Sequence, residues 1–269
     1  MTGPRRAARE VALRILFQVD VGKQPLEEVW DGALQQVRQQ VTNPAHQAVQ
    51  TAYAEVRNLL ASRKKSDPEL RPLRFAAQKV LRVLRKLEED LAGVTARLVA
   101  HNGGAVVLDS TELVDHHVES ATQELVLITG SSRLSPESQE ILRSLGNRTL
   151  KIMREQVLRH LPAALETSEF AVRLVRGKLE HQDTIDARLA NAATTWRLDR
   201  QAAVDRNILR LGAFELLYMG EMPVAVTINE AVELAKKFST AESGRFVNGV
   251  LGALAQSSLA EEQAHQASD

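Results

Sequence analysis

Three features of the chain predict an all-α fold. Apolar residues recur three and four apart along nearly its whole length, which is the spacing of one helical face. Aromatics are only 4% of the residues, too few for an aromatic-rich β-sandwich. No segment of useful length shows the alternation that a half-buried strand requires. The 269 residues are enough for one or two domains with real cores.

The first helix reads from Arg6 to about Gly22, with Ala8, Val11, Ala12, Ile15, Leu16 and Val19 on one stripe. A short second helix follows Pro25 and carries Leu26, Val29, Trp30, Ala33 and Val37. Asn43-Pro44 is expected to start a new helix with Val49, Ala52, Tyr53, Val56 and Leu60, and Lys64 to Pro68 to break it. The strongest periodicity comes next. Leu73, Ala77, Val80, Leu84, Leu87, Leu91, Val94 and Leu98 alternate four and three apart, a heptad seam some seven turns long. Asn102-Gly103-Gly104 ends it, and Asp109 with Glu112 reads as a capping box for a helix to Gly130. Ser135-Pro136 opens another, with Ile141, Leu145, Ile152 and Leu158, expected to stop near Pro162. Ser168 then caps a helix with Phe170, Leu174, Val175 and Leu179, followed by a short one from Ile185 to about Ala193. Asp199 precedes a helix holding Val204, Ile208, Leu211 and Leu216. An extended link at Met222 to Val224 leads to a capping box, Thr227 with Glu230, ahead of Ala231, Leu234 and Phe238. Phe246, Val250, Leu251 and Leu254 form the last stripe, and residues 257–269 read as a polar, flexible tail.

Composition narrows the chemistry. Cysteine is absent, which excludes disulfides, thiolate metal sites and a cysteine nucleophile. Lys+Arg and Asp+Glu balance at 34 each, so only local clusters of charge can mark an acidic partner. Phosphate-binding, dinucleotide-binding, zinc-protease and serine-hydrolase motifs are all missing. His116 and His117 are adjacent, so on a helix they point about 100° apart and cannot share a metal as an i, i+4 pair can. No catalytic residue, metal or cofactor is expected. No apolar run approaches the ~20 residues needed to span a bilayer, and the basic N-terminus is not followed by an apolar stretch, so a cytoplasmic protein without membrane contact is expected.

Three patches speak for binding. Arg5, Arg6 and Arg9 cluster at the chain start, where an arm leads into the first helix, and guanidinium groups pair bidentately with phosphates; an ordinary basic N-terminus is the other reading. Gly244-Arg245-Phe246-Val247-Asn248-Gly249 puts a cation, an aromatic and an amide at a helix start, a trio able to hold a phosphate, stack on a base and read a base edge; Phe246 can equally be core. Between Arg57 and Lys86 stand ten cations against two acids, Asp67 and Glu69, which suits nucleic acid or another acidic partner but also a solvated basic helix.

Residues Arg5 to Glu10, with the helix through Leu16-Phe17-Gln18-Val19-Asp20, resemble the opening of the NusB family of transcription antitermination factors. The second half is more specific: VDRNILRLGAFELLY, the Pro223 link, INEAVELAKKF and RFVNGVL stand in that family's order and spacing between Thr195 and Leu254. The resemblance covers about residues 4–40 and 168–256. It implies a NusB-like helical bundle, non-enzymatic, divided into 1–41 and 167–256, with 42–166 as an inserted helical module about which it says nothing. It also implies binding of the boxA element of ribosomal RNA leaders together with ribosomal protein NusE, in an RNA polymerase antitermination complex. Carried over by position, the RNA-facing residues are Arg5, Arg6, Arg9, Glu242, Arg245, Phe246 and Asn248, and the NusE surface includes Phe17 and Asp205. Two alternatives stand beside it. One is a domain related to ribosomal RNA cytosine methyltransferases, which need a Rossmann-type domain and a catalytic cysteine. The other is a helical protein scaffold without RNA binding. An exposed heptad seam leaves a homodimer open.

Overall fold

The computed structural model describes residues 3–99, 110–130, 133–193 and 201–266. Among these, all regular structure is helical: α1 (Pro4–Asp20), α2 (Leu26–Ser62), α3 (Leu70–Leu98), α4 (Ser110–Thr129), α5 (Pro136–Glu180), α6 (Gln182–Ala192), α7 (Ala203–Phe214), α8 (Val224–Phe238) and α9 (Ala241–Gln266). The chain divides into two compact units. One contains the described residues up to Leu34 and from Glu166 on, the other those between Gln35 and Leu165.

Two prolines expected to open or end helices lie inside them. α2 runs through Pro44 and α5 through Pro162. An interior proline costs about 3 kcal/mol, because a ladder hydrogen bond is lost and the ring crowds the preceding turn. The apolar stripe outweighs that cost. Val37, Val41, Ala45, Val49, Ala52 and Val56 are all buried without a break in phase, as are Met153, Val157, Leu161 and Ala164 in α5. Burying each aliphatic side chain is worth roughly 1.5–3 kcal/mol. Ser168 is accordingly a buried mid-helix residue and caps nothing.

In the unit between Gln35 and Leu165, Leu73, Ala77, Val80, Leu84, Leu87, Leu91 and Val94 are all buried. α4 packs along α3 and covers part of the seam. Its fit includes Leu125, whose methyl groups occupy the space a Cβ on Gly146 of α5 would need. Polar links tie the four segments together. His46 Nδ1 lies 2.6 Å from Glu88, Arg148 pairs with Glu55, and Arg154 holds Asp115 bidentately at 2.5 and 2.8 Å. With its apolar stripe covered from within, the seam is not exposed to a second copy. Asn102 to Gly104 and Asp109 lie outside the described residues.

In the other unit, α7 is the central helix. It packs against α1, α6, α8 and α9, and α8 packs along α9. Every α7 residue from Asn207 to Phe214 is buried. Two close approaches require glycine: a Cβ on Gly177 would fall 2.0 Å from Cζ of Phe214, and one on Gly212 would fall 2.6 Å from a methyl of Leu251. After Phe214 the helix widens into a π-turn, Glu215–Met219, which ends at Gly220 with φ +60°. α8 starts earlier than the Thr227–Glu230 box implies. Pro223 is the N-cap, its carbonyl accepting from Val226 and Thr227 N–H, and Thr227 is buried inside the first turns. α9 continues to Gln266, so residues 257–266 are helical rather than a flexible tail, and 267–269 lie outside the described residues. Arg188 bonds Ser258 Oγ at 3.0 Å and pairs with Glu261. Asp199 lies outside the described residues.

Candidate nucleic-acid interface

The arginines of the chain start are not a free arm. α1 begins at Pro4, with proline suiting the first helical turn, and places all three on its first two turns. Arg9 is 3% exposed and donates from Nε and Nη2 to Glu215 of the π-turn at 2.8 and 2.5 Å; Glu215 is buried as well. Its guanidinium also stands 5.2 Å from the centre of the buried Phe170 ring. A ligand cannot reach it, and Arg9 is a core residue. Arg6 forms a bidentate pair with Glu230 at 2.8 and 2.5 Å, and these bonds hold the Glu230 carboxyl below the usual carboxylate range. Arg5 lies between Glu166 (3.5 Å) and Glu221 (3.4 Å), donates to Met222 Sδ, and sits over Phe170. Both Arg5 and Arg6 remain partly exposed, so each could turn to a phosphate by giving up its carboxylate.

The C-terminal motif is built differently. On α9, Val247, Val250, Leu251 and Leu254 face the core, while Arg245, Asn248 and Gly249 face outward. Arg245 is 87% exposed and its one ion pair among the described residues, with Glu242 one turn earlier, is loose at 3.8 Å. Phe246 is half-buried between the two faces. A cation, an amide and an aromatic edge thus share one accessible patch, with an acid beside the cation that lowers the local positive potential. Such a patch can accept a phosphate and a base from a single strand.

Asp205 is 6% exposed and does not belong to an open partner surface. Its Oδ2 accepts from Ser243 Oγ at 2.8 Å, and its Oδ1 is buried without a hydrogen-bond partner among the described residues. The Ser243 hydroxyl also lies 2.9 Å from Thr240 Oγ1 and accepts from the Thr240 N–H at 3.4 Å. Asp205 therefore fixes the turn that starts α9 and sets the direction of the Arg245 patch. Phe17 is exposed near the end of α1, one turn before the exposed Val21. Together they form an apolar spot of the sort a protein partner covers.

Sequence reasoning missed the partners: Glu215, Glu230 and Glu221, which occupy the arginines, and Ser243, which occupies Asp205. One signal was present. Arg9 falls in phase with Ala12, Leu13 and Leu16, on the buried stripe of α1. Among the described residues no cluster of three His, Cys, Asp or Glu could hold a metal, and no helix is long and apolar enough to cross a membrane.

Fold and site together define an all-helical protein that presents a cationic, amide-bearing patch at the start of its last helix, oriented by a buried carboxylate. Residues 117–256 match the sequence profile of the NusB family. The chain belongs to that family, and the matched stretch takes in α5 to α8 whole. The chain is 52% identical over 89 residues to the transcription antitermination protein NusB of Symbiobacterium thermophilum, covering 33% of this chain and 58% of the relative. It is 55% identical over 86 residues to the protein of the same name from Shouchella clausii, covering 32% and 65%. The chain thus spans about three-fifths of the length of these curated relatives. Among solved structures, T. maritima NusB aligns over 62% of this chain and 89% of its own, at 26% identity and a TM-score of 0.30. A complex of antitermination factors NusB and NusE with dsRNA aligns over 63% and 96%, at 23% identity and 0.31.

Proposed function

We propose that this chain is a non-enzymatic RNA-binding factor of transcription antitermination, acting in the cytoplasm. It binds boxA-type single-stranded RNA of ribosomal leader transcripts together with ribosomal protein NusE, and the pair serves an RNA polymerase complex that passes terminators. Family membership supports this reading, as do relatives about half identical in sequence that carry the antitermination name. The observation that carries it is the exposed α9 patch, where Arg245 and Asn248 point away from the core while their neighbours are buried. In this reading Arg245 holds a phosphate, Phe246 stacks, Asn248 reads a base edge and Glu242 tempers the affinity. Arg5 and Arg6 join at the cost of their carboxylate partners, and Arg9 acts only through the fold. Phe17 belongs to the NusE surface, and Asp205, carried over to that surface by position, is buried and acts through the turn it holds at the start of α9. Residues 42–166 form an inserted module on a core of 1–41 and 167–256.

Filter binding of a boxA oligomer against a scrambled control, with NusE present, tests the reading. The boxA oligomer binds more tightly, and Arg245→Ala weakens it while lowering the slope of log K against log salt by about 0.7, the value of one single-strand phosphate. Equal affinity for both oligomers would falsify sequence-specific recognition.

A further inference from the structure

The cations of α3 contrast with those of α1. From Leu70 to Leu87 the sequence holds six, Arg71, Arg74, Lys79, Arg82, Arg85 and Lys86, and no acid. All six are exposed, on the side of the helix away from the buried seam. Arg85 reaches Glu89 at 3.4 Å, whereas Arg71, Arg74, Arg82 and Lys86 have no ion pair among the described residues. In their midst stands Phe75, an aromatic ring 62% exposed to water, with the Lys79 ammonium 4.7 Å from its centre. Phe75 lies off the seam register and contributes nothing to the core. It borders an open groove of about 810 Å³ formed by Arg71, Pro72 and Lys79 of α3, Ile128 of α4, and Arg133 just before α5.

Each element has a chemical meaning. Arg71, Phe75, Lys79, Arg82 and Lys86 follow one another at three or four residues, so these side chains recur roughly every 5–6 Å along one helix face, with the Phe75 ring between the first two cations. A row of unpaired cations at that spacing attracts a chain of anions. An exposed ring within it offers a flat π-surface that every base can stack on. An acidic amphipathic peptide would need a row of exposed apolar sockets, and of the groove's apolar lining Ala76 and Leu134 are buried and Pro72 and Ile128 half-buried, which leaves the Phe75 ring as its strongly exposed apolar group.

We propose that the outward face of α3 is a second binding site, for single-stranded nucleic acid: Phe75 stacks a base and Arg71, Lys79 and Arg82 hold the phosphates on either side of it. This site lies in the unit between Gln35 and Leu165 and does not rest on the reading of α9. It binds by charge and stacking, and so with little sequence preference.

The test uses the full chain and a labelled 12-nucleotide oligouridylate in fluorescence anisotropy. Phe75→Leu keeps apolar bulk but removes the π-face, and is expected to weaken binding on the order of 10-fold, while Phe75→Trp keeps it. Arg71→Ala with Lys79→Ala should reduce the salt slope by about 1.4, which is about 0.7 for each phosphate no longer held. Both effects should persist in an Arg245→Ala background. If Arg245→Ala leaves boxA binding intact while Phe75→Leu still weakens oligouridylate binding, the α9 reading fails and this one stands. Oligouridylate affinity unchanged by Phe75→Leu overturns the proposal. So does full displacement of the RNA by polyglutamate of matched charge with equal potency against wild type and Phe75→Leu, which would mark a mere polyanion patch. Sedimentation showing a dimer that Phe75→Leu abolishes assigns the face to a second copy, and likewise overturns it.

Discussion

Replacing Arg9 with methionine should damage the fold and not RNA binding. The guanidinium and the Glu215 carboxylate are 4% and 5% exposed and share two bonds of 2.8 and 2.5 Å, with Glu230 a further 3.8 Å from Nη1. Arg9→Met leaves the Glu215 charge buried without its bidentate partner. Breaking a buried pair from one side costs about 3–5 kcal/mol, much more than the bond itself, because the remaining ion has given up its water. At roughly 2–4 °C per kcal/mol for a chain of this size, the melting temperature of the unit containing α1 should fall by about 10 °C. The double variant Arg9→Met with Glu215→Leu removes both ions and fills their space with apolar atoms. It should recover most of the loss, because an apolar replacement of a whole pair is often neutral or stabilising. Urea denaturation of the wild type, both single variants and the double gives the coupling directly. RNA affinity of Arg9→Met, measured well below its melting point, should match the wild type. A loss under 1 kcal/mol for Arg9→Met, additive losses in the double variant, or a specific drop in RNA affinity at full folding would each refute the assignment of Arg9 to the core.

Other outcomes follow from the same geometry. Lys178 is 2% exposed, and its burial, with the nearby Arg210 charge, pushes its ammonium down to about 8. Between pH 8 and 10.5 the unfolded chain keeps a proton that the folded chain has lost, so stability should rise with pH across that window by up to about 3 kcal/mol; Lys178→Met should flatten the rise in urea titrations. Glu230 sits below its ordinary range through its bonds to Arg6, so the stability it brings is whole above the unfolded carboxylate pKa and disappears as pH falls through the folded one. Glu230→Gln should flatten that acid limb in melts taken from pH 6 to 3. Gly177→Ala drives a methyl into the Phe214 ring, whose nearest atoms lie 2.0 to 2.8 Å away, and should cost about 1–3 kcal/mol despite alanine's better helix propensity; Gly177→Ala with Phe214→Leu should cost less than the sum.

Much of the fold was legible because packing in helices is periodic. The heptad of α3 and the stripes of α1, α7 and α9 are local statements, true whatever lies beside them. The errors at Pro44 and Pro162 share one cause. Proline is a strong local signal, but the decision rests with the apolar stripe that continues in phase on both sides of it, a sum over several turns. The Thr227–Glu230 box failed for a related reason: Glu230 had a stronger partner in Arg6, 224 residues away in sequence, and Pro223 already began the helix. The site shows the same division. Arg245 and Asn248 were readable as exposed because Val247, Val250 and Leu251 fix the buried face. Asp205 looks no different in sequence from an exposed charge and Arg9 differs only by its phase with the buried stripe of α1, while their partners, Ser243 and Glu215, are separated from them by 38 and 206 residues. Phe75 did carry a local signal, an aromatic out of register with the seam and flanked by cations.

In the proposed function RNA meets the outward patch of α9 and not the core arginine of α1. Ultraviolet cross-linking of a boxA oligomer to the full chain with NusE, followed by mass mapping of the linked peptides, tests it most directly. Attachment should occur at Phe246 or its neighbours between Glu242 and Asn248 and be lost in Arg245→Ala, with no attachment at Phe170, the buried ring beneath Arg9. Cross-links at Phe170, or an α9 peptide left unlinked while RNA is bound, would contradict the account.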